Sequence, residues 1–354
     1  MARESLRVRP FQPGDAAGVR RVLEATYGEA ATPAPAYDWW SFGCPVAVNG
    51  GMVAEVDDQI VGVQPMELFP YRDGAVAVTG AMLTGVAVHP DFRRRGVFSA
   101  LVTACEAEAW RREAAFVTTM PNERSRPGFL KFGYTDLGRR ALLVRPVDGM
   151  ALGGKWMPGL GHLAGAVGSA IQTLVKTIPR TNETSVRKTT TVPAAISTLI
   201  ARHVQLFPGL LLQRSADWLR WRFLQAPTRQ YQLLEAHDHA GQLIGFAAAT
   251  LDDREKARRY YLMDLFVAEE KYVADLLHAL VGLAQNQKAE AVATVVSSPR
   301  FAVVLQRAGF WMVPDWLPLK RFYSVARFNP QHSLSPAWRT LAGWYQTLAD
   351  WDNL

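Results

Sequence analysis

Apolar and polar residues alternate in short runs along this chain, and the runs recur. GMVAEVDDQIVGVQPMEL from Gly51 and YQLLEAHDHAGQLIGFAAATL from Tyr231 each read as two period-two strands around a polar hairpin turn, with Gly62 and Gly245 in matching places. Before each lies a short strand and then a stripe of helical period: SLRVRPFQPGDAAGVRRVLEATYG from Ser5, SVRKTTTVPAAISTLIARHVQLFP from Ser185. After each comes an apolar strand that leads into a helix, MLTGVAVHP from Met82 and LMDLFVAEE from Leu262. AAFVTTMPNERSRPGFLKFGY and AVATVVSSPRFAVVLQRAGF then supply a strand, a turn, a short helix and a closing glycine, Gly133 or Gly309. A glycine there suits a helix that ends on a left-handed residue.

The pattern predicts an α/β chain made of two tandem units. Each reads strand, helix, three strands, helix, strand, helix, strand, a mixed and mostly antiparallel sheet flanked by helices. The units take residues 1–147 and 185–330. Residues 148–184 read as a linker with a glycine-rich helix from Leu160 to Val175. In residues 331–354, Trp338, Leu341, Tyr345, Leu348 and Trp351 fall at helical spacing, which predicts a C-terminal amphipathic helix with a packing face.

Composition narrows this little. A length of 354 residues suits two domains, and 49% hydrophobic with 20% charged residues describes a folded chain. The net charge of +7 admits nucleic acid, a membrane surface or a phosphate-bearing cofactor without choosing among them. No nucleic-acid-binding module is recognisable. Leu160 to Val175 falls short of the roughly 20 residues a membrane span needs, and His162 and Gln172 interrupt it. The first residues hold no apolar signal core, so a cytoplasmic protein is expected, with no membrane partner. Cys44 and Cys105 match no disulfide or zinc spacing, and no metal is expected.

The chemistry concentrates in VAVHPDFRRRGVFSALV, from Val86 to Val102. A strand ends at Pro90, three arginines crowd beside Gly96, and a helix begins at once. Free N–H groups and the dipole of a helix start attract anions, glycine lets the backbone approach a ligand, and Arg93, Arg94 and Arg95 add charge. The combination is a pyrophosphate cradle. It has neither Walker-loop nor dinucleotide spacing.

This stretch resembles the acetyl-CoA-binding motif of the GCN5-related N-acetyltransferase (GNAT) family, Q/R-x-x-G-x-G/A, through Arg93 and Gly96; Phe98 stands where a small residue is usual. NERSRPGFLKFGY from Asn122 is similar to a second segment of that family. The resemblance implies tandem GNAT folds and acetyl transfer from acetyl-CoA to a primary amine by direct attack in a ternary complex. It implies that Val86, Ala87 and Val88 bind the pantetheine arm and thioester. The amides of Arg93, Arg94, Arg95, Gly96, Val97, Phe98 and Ser99 would hold the pyrophosphate, with Asn122 on the cofactor's other side. The second unit has Glu269 and Glu270 where the anion would sit, so one cofactor site per chain is expected. The acceptor would be a small-molecule or peptide amine, and a homodimer is left open.

Acyl transfer also needs a base, an oxyanion donor and an acid for the leaving thiolate. By resemblance the acid would be a tyrosine at the position of Phe129, which has no proton to give. Glu67 on the third strand is one catalytic candidate. The terminal carboxylate of Leu354, used in some related tandem enzymes, is the other. Tyr71 and His89 are weaker choices, since a strand-end aromatic and a histidine beside proline are commonly structural. WWSF at Trp39 and WLRWRF at Trp218 could line a cleft, but packing under a sheet explains them better. The rival function is an acyl-CoA-binding or regulatory module without catalysis.

Overall fold

The computed structural model describes residues 5–28, 34–148, 184–253, 258–314, 316–317 and 320–350. In the first unit β1 (Arg7–Pro10), β2 (Val48–Val56), β3 (Gln59–Asp73) and β4 (Val76–Leu83) pair antiparallel in sequence order. The short β5 (Ala87–Val88) returns to the early part of β3, and β6 (Phe116–Thr119) runs parallel to β4. Alternation along β2 serves two faces. Val53 packs with Val19 and Val22 of helix α1 (Ala16–Tyr27), while Met52 and Ala54 pack with Leu101 and Cys105 of helix α3 (Val97–Arg111).

The second unit repeats the plan. β9 (Ser185–Thr189), β11 (Gln232–His237), β12 (Leu243–Asp252) and β13 (Arg259–Val267) lie side by side antiparallel, and β14 (Ala291–Val296) runs parallel to β13. Helix α7 (Tyr272–Asn286) takes the place that α3 has in the first unit. The matched glycines have one job. A Cβ on Gly62 would lie 2.8 Å from Val97 Cγ1, and one on Gly245 would lie 2.8 Å from Leu276 Cδ1. Each glycine lets its helix sit against the sheet.

The units are not two self-contained sheets. β8 (Ala141–Pro146) leaves the first unit and inserts between β14 and β15 (Trp311–Met312) of the second. β16 (Tyr323–Phe328) leaves the second unit and inserts between β6 and β7 (Thr135–Arg139) of the first. The division at residues 147 and 185 therefore needs correction, because the last strand of each unit completes the other's sheet. Each exchanged strand carries a matching clasp. Arg327 Nη1 donates to Phe132 O at the end of α4 (Arg126–Lys131). Arg145 Nη1 donates to Ala308 O at the end of α8 (Pro299–Arg307). Both helices then stop on a left-handed glycine, Gly133 at φ +78° and Gly309 at φ +88°.

The predicted C-terminal helix is also corrected. Its described part is an irregular strap with short 3-10 turns at Pro336–Arg339, Leu341–Gly343 and Leu348–Asp350. A Cβ on Gly343 would lie 2.0 Å from Ala337 O, so the chain turns too tightly there for an α-helix. The strap ties the sheets together: Trp338 Nε1 donates to Asp73 Oδ2 at 2.7 Å, and Trp344 packs edge-on against Phe116 and Tyr71. Trp39 of α2 (Ala34–Phe42) stacks on Trp221 of α6 (Ala216–Leu224) at 4.7 Å, so these tryptophans are packing residues. The linker helix and Trp351 lie outside the described residues. Among the described residues, no helix is long and apolar enough to cross a membrane.

Candidate active site

β4 and β6 pair from Gly80 and Phe116 to Leu83 and Thr119, where Thr119 Oγ1 donates to Leu83 O at 2.8 Å, and then they part. Beyond this tie the chain of β4 runs through Thr84, Gly85 and Val86 into β5 and keeps only β3 as a strand neighbour. β6 leads away through Met120, Pro121 and Asn122. The wedge opens into a cleft of about 840 Å³ whose walls include Thr84, Val86, Asn122, Ser125, Phe129 and Arg140.

The arginine–glycine turn stands beside this wedge. Arg94 and Gly96 take φ of +61° and +84°, and Gly96 has open space where a Cβ would stand. Gly96 caps α3, and Ala100 N–H is the first amide to bond back, to Gly96 O at 3.0 Å. The amides of Val97, Phe98 and Ser99 are thus the free donors of the helix start. Arg93, Arg94, Arg95 and Gly96 are exposed, while Val97 is buried against Gly62. Arg93 Nε reaches Val88 O at 3.3 Å, and Arg95 lies over the Phe92 ring. The large Phe98 side chain does not fill the cradle. It turns onto Phe129 and Phe132, with ring centroids 5.3 and 6.0 Å away, and Gly128 leaves room for it: a Cβ there would lie 3.0 Å from Phe98 Cε1.

The strand residues have partners of their own. Tyr27 Oη donates to Val86 O at 2.6 Å, and Thr26 Oγ1 donates to Val88 O at 3.2 Å. Ala87 packs its methyl into the core under α1. His89 N–H donates to Val61 O on β3, so by alternation the N–H groups of Val86 and Val88 turn away from β3, toward the wedge. Asn122 Oδ1 accepts from the amides of Arg124 and Ser125 at 2.9 and 3.0 Å, which holds the turn that forms the opposite wall.

The catalytic candidates fare differently. Glu67, the catalytic candidate on β3, is not among the residues that line the cleft. It is 0% exposed and accepts from Thr84 Oγ1 at 3.3 Å, beneath the wedge floor. Tyr71 is buried against Phe116 and Trp344, and burial raises its pKa well above that of an ordinary phenol. His89 caps a 3-10 turn outside the cleft lining, and its Nδ1 accepts from Asp91 N–H at 3.4 Å. Phe129 lines the cleft but offers no proton. Leu354 lies outside the described residues.

In the second unit the matching wedge is filled. β13 and β14 pair only from Arg259 and Ala291 to Tyr261 and Ala293, and the strap enters beyond that point. Ser297 Oγ donates to Trp344 O and accepts from Gln346 N–H, and Thr347 Oγ1 donates to Asp264 Oδ1 at 3.3 Å. The turn before α7 carries Glu269 and Glu270, paired to Lys271 and Arg300. Arg214 neutralises this buried region, with Nε 2.9 Å from Asp264 and both terminal nitrogens 2.8 Å from Asp350.

Several cleft residues carry no sequence signal of the kind the turn has: Tyr27, Arg140, Tyr323 and Asp350. Arg140 and Tyr323 come together only through the strand exchange. Arg140 is 1% exposed, and its Nε and Nη1 find no hydrogen-bond partner among the described residues. Burial lowers its pKa to about 10, against the pull of Asp350, so it stays charged at neutral pH. The one hint is the adjacent pair Arg139–Arg140 at the passage from β7 to β8, since neighbouring side chains there point to opposite sides.

Splayed parallel strands, a glycine-capped helix start flanked by exposed arginines and a second copy of the sheet together define an acyl-CoA acyltransferase fold. Residues 17–134 match the family described as the acetyltransferase (GNAT) family, and the chain has the tandem GNAT fold. No curated protein matches the sequence. Among solved structures, a GCN5-related N-acetyltransferase from Anabaena variabilis superposes with a TM-score of 0.65 at 12% identity over 92% of this chain and 73% of that one. Saccharomyces cerevisiae N-myristoyltransferase with bound myristoyl-CoA gives 0.62 at 12% identity, covering 96% of this chain and 89% of that one. A tandem GNAT protein from the clavulanic acid biosynthesis pathway gives 0.55 at 16% identity, covering 92% of this chain and 98% of that one. At these identities the likeness is one of fold.

Proposed function

We propose that the protein is an N-acetyltransferase that moves an acetyl group from acetyl-CoA to a primary amine, with one working site per chain in the first unit. The carrying observation is the wedge between β4 and β6 with the Gly96 cradle beside it. The cradle amides and Arg93 to Arg95 would take the pyrophosphate, and the pantetheine would lie along Val86 to Val88. A short acyl group fits the polar floor, where buried Gln64 donates to Thr84 O at 2.8 Å and Thr84 bonds Glu67. In the reaction the amine nitrogen forms its bond to the thioester carbon. A strand N–H turned into the wedge stabilises the oxyanion, the C–S bond breaks, and the amine's proton ends on the CoA thiol. Ser125 and Tyr323 bring hydroxyl groups to the cleft wall where Phe129 has none. Two buried free cysteines suit a reducing cytoplasm.

Calorimetric titration of acetyl-CoA into wild type and Gly96→Glu tests this reading. The side chain adds negative charge at the seat and strains a residue at φ +84°. Wild type is expected to bind in the micromolar range and the variant at least tenfold more weakly, about 1.4 kcal/mol. No binding by wild type would refute it. A second reading, acyl-CoA binding without turnover, draws on Phe129. It is separated by following thiol release, which only the enzyme makes dependent on an added amine.

A further inference from the structure

Arg140 is a buried cation whose Nε and Nη1 have no hydrogen-bond partner among the described residues. It stands where the chain crosses from β7 to β8, and its backbone N–H donates to Phe322 O at 2.9 Å, which fixes the crossing. Its guanidinium carbon lies 5.9 Å from the centroid of the Phe322 ring and its side chain reaches the cleft wall. The same wall carries Arg124, Lys320 and Arg321, against the carboxylates of Glu123 and Asp350. Both carboxylates have a cation of their own: Glu123 lies 3.7 Å from Arg321 on the same wall, and both oxygens of Asp350 bind Arg214. A buried guanidinium with unpaired N–H donors is costly, and its planar donors match a carboxylate.

We infer that Arg140 is the subsite for a carboxylate on the acceptor, so the amine acetylated here belongs to an amino acid or another amine that bears a carboxylate. This rests on reading the cleft as an acyl-CoA-dependent acyltransferase site. The acceptor enters past Lys320 to Tyr323, its carboxylate docks on Arg140, and its amine points to the wedge where the thioester carbonyl would lie. The surplus of cations on this wall draws in an acidic acceptor and disfavours a polycationic one.

The test is a pair of titrations on the full chain. CoA is titrated first; glycine, β-alanine and glutamate, each beside its carboxamide, are then titrated into the CoA-loaded protein. The acids are expected to bind about tenfold or more tightly than the amides, the worth of one charge-assisted hydrogen bond. Arg140→Gln should erase that preference and Arg140→Lys should keep part of it, with CoA affinity as the check that each variant is folded. Acids and amides that bind alike, acids that do not bind, or a folded Arg140→Gln protein that keeps the preference would each overturn the inference. If Arg140→Gln does not fold, the wild-type comparison and Arg140→Lys still decide. Failure of CoA to bind wild type would instead overturn the acyltransferase reading.

Discussion

His203 ties the strap to the second sheet and makes the fold sensitive to acid. Val267 N–H donates to Nδ1 at 3.1 Å, so Nδ1 carries no proton, and Nε2 lies 2.7 Å from Tyr345 Oη. The geometry requires a neutral ring with its proton on Nε2. Phe207, Phe266 and Phe301 surround it, and burial lowers its pKa from 6.5 to about 3. The unfolded chain therefore takes up a proton below pH 6.5 that the folded chain refuses. Stability is full above that point and falls as pH drops toward 3. At about pH 5 the loss from this one group is about 2 kcal/mol. For a chain of this length that is about 2–3 °C in melting temperature. His203→Gln keeps an acceptor for Val267 and a donor for Tyr345 but does not titrate. Melting curves of both proteins from about pH 7.5 to about pH 5 should show wild type losing the extra 2–3 °C. Parallel pH dependences would refute the assignment of a neutral buried histidine.

Two further sets of substitutions probe the frame of the site. Arg214→Met would leave Asp264 and Asp350 buried without their cation, and should cost about 3–5 kcal/mol in urea unfolding; adding Asp350→Asn should recover part of the loss, and an unchanged midpoint would refute the role. Gly62→Val drives a side chain into Val97 and Leu101, and Gly245→Val drives one into Leu276. Both should destabilise by about 1–3 kcal/mol, but only Gly62→Val should weaken CoA binding, because α3 begins at the cradle; equal effects on CoA would count against that seat.

The repeat was legible because it rests on local chemistry. Alternation marks the hairpins, and the left-handed glycines Gly133 and Gly309 end their helices as their position in the pattern implies. The Gly96 turn was legible for the same reason, since a positive φ, a helix start and adjacent arginines are neighbours in sequence. What escaped was non-local. ALLVRP and YSVARF alternate equally well in either sheet, so nothing within them says that each pairs with the other unit. The aromatic spacing of the tail fits a helix, yet the contacts that win are the indole N–H of Trp338 on Asp73, the Trp344 carbonyl on Ser297 and the tight turn at Gly343. The burial of Glu67 escaped because alternation tells which residues share a face, not what covers it. Tyr37 and Cys44 lie close enough to Glu67 for its charge to act on their pKa values, on a face closed by α2 and the segment after it.

Those non-local features also explain what the second unit contributes. Among the described residues, its own wedge is closed by the strap and its helix start carries Glu269 and Glu270. The exchange instead carries Tyr323 of β16, and the residues leading to it, to the wall of the first unit's cleft. The crossing from β7 to β8 sets Arg140 there, and the strap that fills the spent wedge ends by bringing Asp350 to the same cleft. The wall of the cleft at Thr84 to Val86 comes from the first unit alone, whereas the wall at Arg140 and Lys320 to Tyr323 requires both. Under the proposed function, a duplicated fold of this kind would keep its cofactor seat fixed while residues 320–323 and the strap vary, so acceptor selection would fall to the part of the chain that the family motif does not cover.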